Sequence, residues 1–321
     1  MNAVKPIVSS LSPSTTQPTA KPTAEPTAKP AVSTPHFTAQ STGAIDERFF
    51  QGAVFGLQLA PIALQFGGSA AKGSTVASPE SLSLLTRCFE SLSAFLQAPN
   101  QFAPELAGPE AVLNSVPILL RYCDHPAQRW QRLSAFSPAV SALCWVLGDA
   151  LALTVQSPSL FSCSLAGEPM LTWIDDYARE YASRQAALGE DHAKRCQLLW
   201  SAIAHQVLTV GEPTMSATPD ASFARFFASI GGATDADRQV AGGIASALLH
   251  AGDYGASVRA AACFRGVAPW VAGLVSGAMN GPSALPMLWQ LQADRANVVS
   301  SQQRRLIAEG LYALWSGQWF S

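Results

Sequence analysis

Thr234, Asp235 and Asp237 are the residues of this chain whose types and spacing best suit chemistry. They lie in Gly231-Gly232-Ala233-Thr234-Asp235-Ala236-Asp237, where a glycine hinge brings a hydroxyl and two carboxylates to the start of an apolar segment. Oxygen donors of this kind are what Mg²⁺ or Mn²⁺ requires. The same residues also suit a helix cap, since Thr234 is followed three residues later by Asp237 and carboxylates in a first turn oppose the helix dipole. The spacing by itself favours the cap. Asp235 and Asp237 are also turned about 200° apart around a helix, so the two do not converge on one ion.

Their placement depends on the segment that follows, Arg238 to Leu249. Val240, Ala241, Ile244, Ala245 and Leu248 recur at helical spacing, which predicts a helix burying one face. Other groups have simpler explanations. Asp175-Asp176 is one of three adjacent acidic pairs, with Asp46-Glu47 and Glu190-Asp191, and Arg179 one turn on offers it an ion-pair partner. Glu190-Asp191-His192 reads as the acidic first turn of a helix after Gly189. The histidines form no ligand spacing, and a nucleophile elbow is absent. Gly67-Gly68-Ser69-Ala70-Ala71-Lys72-Gly73-Ser74 lacks the order of a phosphate loop and reads as a flexible loop.

A chain of 321 residues with 48% hydrophobic and 13% charged residues can bury a large core. Its formal net charge of −2 and lack of a basic run give no footprint for nucleic acid or an anionic membrane. Cys88, Cys123, Cys144, Cys163, Cys196 and Cys263 show no metal-ligand spacing and read as buried thiols of a reducing compartment. The first residues are polar and Pro-rich rather than signal-like. The run from Ala139 to Val155 is interrupted by Asp149 and is read as too short to span a bilayer. The expectation is a cytoplasmic protein without a membrane span.

Residues 1 to 44 carry the tetrads Gln17-Pro18-Thr19-Ala20, Lys21-Pro22-Thr23-Ala24 and Glu25-Pro26-Thr27-Ala28. Such composition predicts a disordered, partly polyproline II tail. Residues 45 to 321 read as one all-α, multi-helix domain. Helices are expected over 46–65, 79–97, 108–122, 137–156, 168–187, 190–210, 220–230, 236–250, 255–265, 268–279 and 301–316. Gly52 with Gly56, and Gly273 with Gly277, stand one helical turn apart, and imply tightly crossed helices. In the last helix Leu306, Ile307, Leu311, Leu314 and Trp315 are assigned to the core, and Trp319 and Phe320 follow as a potential anchor for a partner.

Several of these stretches together resemble one family. Arg48-Phe49, followed by Gly52, Gly56 and Leu57, resembles the opening helix of the ADP-ribosylglycohydrolases. Gly231-Gly232-Ala233-Thr234-Asp235 resembles their Gly-Gly-Asp-Thr-Asp-Thr motif. Between the two, Ala111-Val112-Leu113-Asn114-Ser115-Val116-Pro117 is similar to a family helix, and Asn280-Gly281 with Leu285-Pro286 and Trp289 is similar to its late turn. The resemblance covers about residues 46 to 292 and implies an all-helical domain. It also implies an activity, cleavage of a glycosidic bond to ADP-ribose with two Mg²⁺ or Mn²⁺ ions held by carboxylates and a threonine.

Position by position, the implied ligand set is depleted. Ser78 and Pro79 stand where the early motif has two aspartates, with Glu80 one place beyond. Ala60-Pro61 replaces a Gly-Asp, and Ala233 and Ala236 replace an aspartate and a threonine of the late motif. Thr234 and Asp235 match, and Asp235 is the best single candidate for a metal ligand. Two dications bring four positive charges against one matched carboxylate. The resemblance therefore implies a degenerate enzyme, a pseudoenzyme without a cofactor that works in binding, assembly or regulation through an unknown protein partner or an ADP-ribose-like ligand. The alternative is an active hydrolase in which Glu80, Asp235, Asp237 and Asp175 or Asp176 hold one Mg²⁺ or Mn²⁺.

Overall fold

The computed structural model describes residues 45–67, 79–103, 109–134, 136–156, 189–210, 234–295 and 299–318, with residues 172 and 179. Every regular element among these is a helix. In chain order they are α1 (Glu47–Gly67), α2 (Pro79–Gln97), α3 (Ala111–Asn114), α4 (Val116–Arg121), α5 (Pro126–Leu133), α6 (Pro138–Gln156), α7 (Glu190–Val210), α8 (Asp235–Leu249), α9 (Tyr254–Ala261), α10 (Ala268–Asn280), α11 (Met287–Arg295) and α12 (Ser301–Trp315). Short 3₁₀ turns follow α9 and α10. The tail 1–44, the predicted helix 220–230, most of 168–187, Asp175-Asp176, Trp319 and Phe320 lie outside the described residues.

Three expectations need correction. The helix predicted over 108–122 is two, α3 and α4, broken at Ser115, where Pro117 brings no backbone N–H to bridge the break. The Ser115 hydroxyl donates to the Val112 carbonyl at 2.6 Å and so satisfies part of the interruption. Helices α5 and α11 add to the expected set. Both are short, and α5 owes its start to Pro126 in the first turn rather than to a long apolar period. The segment predicted over 255–265 keeps α-helical geometry only from Tyr254 to Ala261 and tightens to 3₁₀ over Ala262–Phe264.

Helices α1 and α10 form the central crossing. A methyl group on Gly52 would stand 2.1 Å from the Gly277 carbonyl oxygen, and one on Gly56 2.2 Å from that of Gly273. The two glycine pairs therefore let backbone touch backbone, as their spacing implied. Tyr254 of α9 seals the crossing with a hydroxyl that donates to the Gly56 carbonyl at 2.6 Å. Burial moves its phenol pKa well above the ordinary value.

Helix α8 departs from the one-faced helix predicted for it. Gln239 to Leu248 are all buried, so neighbours cover it on every side. Its small residues make this possible: a methyl group on Gly242 would enter the Phe264 ring, and one on Gly243 would come 2.6 Å from the Ala268 carbonyl oxygen. Helices α7, α9 and α10 pack around it.

Two arginines lie inside this helical body. Arg129 of α5 is 1% exposed, pairs with Asp149 of α6, donates to the Gly148 carbonyl at 2.9 Å and lies 5.1 Å from the Trp145 ring centroid. Arg304 of α12 is 2% exposed and bonds both Gln58 of α1 and Asp294 of α11. Pro138–Val155 does have the length and apolarity to cross a membrane, with 18 residues and mean hydropathy 1.6, contrary to the expectation that it is too short. However, 83% of it is buried within the protein, and its one carboxylate, Asp149, is neutralised by Arg129.

Candidate functional site

The candidate residues gather at the first turn of α8. Thr234 is the N-cap, with an extended backbone at φ −90°, ψ 166°. A complete capping box forms: the Thr234 hydroxyl oxygen accepts from the Asp237 N–H at 3.3 Å, and the Asp237 carboxylate accepts from the Thr234 N–H at 2.7 Å. The Thr234 hydroxyl also donates to the same carboxylate oxygen, Oδ2, at 2.9 Å. Thr234 and Asp237 thereby satisfy donors that every helix start leaves open.

Asp237 does more than cap. Its side chain is 1% exposed, and Arg195 of α7 approaches it with two nitrogens. Nη2 lies 2.8 Å from Oδ1 and 2.7 Å from Oδ2, and Nε lies 3.1 Å from Oδ1. Arg195 Nη2 is also 3.2 Å from the Thr234 hydroxyl. This is a charge-assisted fork on a buried carboxylate, formed across 42 positions of sequence. Local pattern gives no sign of Arg195. The available signal is indirect: a carboxylate buried by an apolar helix needs a cation from elsewhere.

Asp235 stands on the other side of the turn, with its side chain 63% exposed. It pairs with Arg238 and accepts from Gln239 Nε2 at 2.6 Å. Gln239 Oε1 in turn accepts from the Val267 N–H at 3.0 Å, which ties the helix start to the turn before α10. Gly266 in that turn has φ +47°, and a methyl group there would stand 2.0 Å from Gln239 Oε1, so only glycine fits. The capping role thus belongs to Thr234 with Asp237, while Asp235 is held at the surface. Glu80 sits in the first turn of α2, and its side chain lies outside the described residues, as do Gly231, Gly232 and Ala233.

The described donors do not suit a divalent cation as they stand. Both oxygens of Asp237 are engaged by a guanidinium, and a dication brought beside Arg195 would meet like charge. Asp235 points to solvent with its own cationic partner. Among the described residues, no three His, Cys, Asp or Glu side chains group closely enough to hold a metal ion.

The face of α7 beside Arg195 packs into the interior. His192, one turn earlier on α7, is 5% exposed and meets Trp130 edge-on at 4.8 Å. Burial, aided by the like charge of Arg195, holds its imidazole pKa below the ordinary value, against a hydrogen bond to the Pro138 carbonyl. Cys196 is buried with its thiol pKa pushed well up by desolvation. Of the six cysteines, Cys88, Cys123, Cys144 and Cys196 are buried as expected, Cys263 is exposed, and Cys163 lies outside the described residues.

Compared with known protein families, with characterised proteins and with solved structures, the chain matches none.

Proposed function

We infer that the protein is a catalytically degenerate ADP-ribosylglycohydrolase-like protein, acting in binding, assembly or regulation rather than in hydrolysis. The observation that carries this reading is the bidentate Arg195–Asp237 pair. At the helix start corresponding to the family's late metal motif, the positive charge is built into the chain. A tethered guanidinium neutralises the buried carboxylate, so no ion is needed to stabilise it there. Two further features support the reading. Ala233 and Ala236 supply no ligand atoms where the motif has an aspartate and a threonine, and Pro79 supplies none at the early motif. The scaffold residues of the resemblance, by contrast, perform structural work: Gly52 and Gly56 make the close crossing with α10, and Leu285 after Gly281 is buried.

A ligand that binds only the native state raises the melting temperature. The test adds Mg²⁺, Mn²⁺ and ADP-ribose separately to the purified protein, and assays release of ADP-ribose from a modified substrate. The expected outcome is no shift with either metal and no release. A metal-dependent rise accompanied by release would establish the hydrolase instead, with Asp235 and Glu80 as the ligands to substitute first.

A further inference from the structure

His192 is a buried base in an unusual setting. Its Nε2 has no hydrogen-bond partner, its ring meets Trp130 of α5 edge-on at 4.8 Å, and Trp130 meets Trp145 of α6 edge-on at 5.2 Å. The Pro138 carbonyl at the start of α6 accepts a hydrogen bond from the same ring. One imidazole therefore joins the first turn of α7 to two other helices. We propose that this joint is a pH-sensitive device: protonation of His192 releases the first turn of α7 from Trp130 and loosens the Arg195 clamp on Asp237.

A second proton on His192 would have to go to Nε2. Nε2 is enclosed, so an added N–H there would have neither water nor an acceptor, and the new charge would be desolvated. The third residue of a helix is also the wrong end for a cation, because the helix dipole is positive there. Charged groups nearby offer little relief. On α7, Arg195 repels the imidazolium, Glu190 is exposed and engaged by Lys194, and Asp191 is exposed. On α5, Arg129 is spent on Asp149 of α6, and Arg132 is half-buried and bonds Asn100. From α8, Asp237 is already held by Arg195. An imidazolium is relieved most simply by leaving the Trp130 contact for water. Arg195 lies one turn further along the same helix, so its position depends on that first turn.

The depressed pKa sets the sign. A histidine that prefers to be neutral in the fold stabilises the joint fully above its unfolded value of about 6.5, and that contribution is lost as pH falls through the lower folded value. Between the two values, the closed joint loses about tenfold in its favour for each pH unit, and below the folded value the loss is complete.

The experiment follows the near-ultraviolet circular dichroism of the tryptophans from pH 8 to pH 5, with far-ultraviolet dichroism alongside, for the full chain and for His192→Gln and His250→Gln. His250 is included because burial lowers its pKa as well. The expected result is a near-ultraviolet change below pH 6.5 with helix content kept. It should be lost in His192→Gln, whose amide stays neutral, and retained in His250→Gln. Arg195→Lys, which keeps a charge without the fork, should leave the change in place. The proposal is overturned if the full chain shows no such change, if His192→Gln keeps it, or if helix content collapses at the same pH. Should His192→Gln fail to fold, the two-dimensional NMR titration of His192 in the unaltered protein decides: a shift that moves together with the Trp130 indole supports the joint, and independent shifts sink it.

Discussion

At the scale of single residues, Asp237 bears the largest electrostatic demand at the helix start. A carboxylate with 1% exposure requires its counter-charge, and Arg195 is itself only a quarter exposed. Arg195→Met is therefore expected to destabilise the protein by about 2 to 4 kcal/mol, because it strands a buried charge. Thr234→Ala removes the capping hydroxyl and its bond to Asp237 but leaves the charge pair in place, and should cost only about 1 kcal/mol. Urea denaturation ranks the two, and a smaller loss in Arg195→Met than in Thr234→Ala would contradict the buried-pair account. The thiols give a separate check. Desolvation pushes Cys88, Cys123 and Cys144 up to about 12, so all three stay protonated, unreactive thiols in the fold at pH 8. Alkylation of the native protein followed by peptide mapping should mark Cys263 and leave those three, with Cys196, unmarked until unfolding.

At the scale of elements, the α1–α10 crossing is the closest helix-on-helix approach among the described residues. Gly56→Ala and Gly277→Ala each force a methyl group into backbone atoms that cannot yield without separating the helices. Each is expected to cost at least about 2 to 3 kcal/mol, at the upper end for overpacking. Gly252→Ala is the control, with open space around the added methyl group and no positive φ, and should change stability little. The glycine spacing announced close packing, since a pair one turn apart leaves a flat strip on each helix, but only the fold brings α1 and α10 together. The breadth of burial on α8 was not legible. Its Ala/Gly-rich sequence shows one strongly apolar face, and only the arrival of α7, α9 and α10 decides that the rest is covered as well. Leu306 errs in the other direction. It shares the period of Ile307 and Leu311, yet it is 57% exposed over a groove between α2 and α12 lined by Phe89, Glu90 and Ile307.

At the scale of the whole molecule, buried polar links join elements far apart in sequence. Arg304 binds Gln58, 246 positions away, while Gln58 donates to the Val299 carbonyl at 2.8 Å. The guanidinium also lies 5.0 Å from the Phe55 ring centroid. Arg304→Met would leave the Gln58 oxygen buried without its donor, at a cost of about 2 to 4 kcal/mol. The first and last described helices would lose their polar link. Calorimetry should show a single transition at lower temperature in this variant; a second transition confined to α12 would mean that the C-terminal helix is an independent unit.

Local sequence specified the helical class, most helix limits and the capping box at Thr234, and its glycine pairs marked close helix packing without saying which helices meet. These depend on local periodicity, on residue size and on hydrogen bonds within a turn, all of which neighbouring residues specify. The tertiary structure decided what each carboxylate at that helix start does. Asp235 and Asp237 are two positions apart and chemically alike, but one meets solvent and Arg238 while the other is enclosed against Arg195. That difference arises from a helix 42 positions away. Burial and counter-charge are properties of the packed chain, and they turn a possible ligand pair into one surface carboxylate and one internal ion pair.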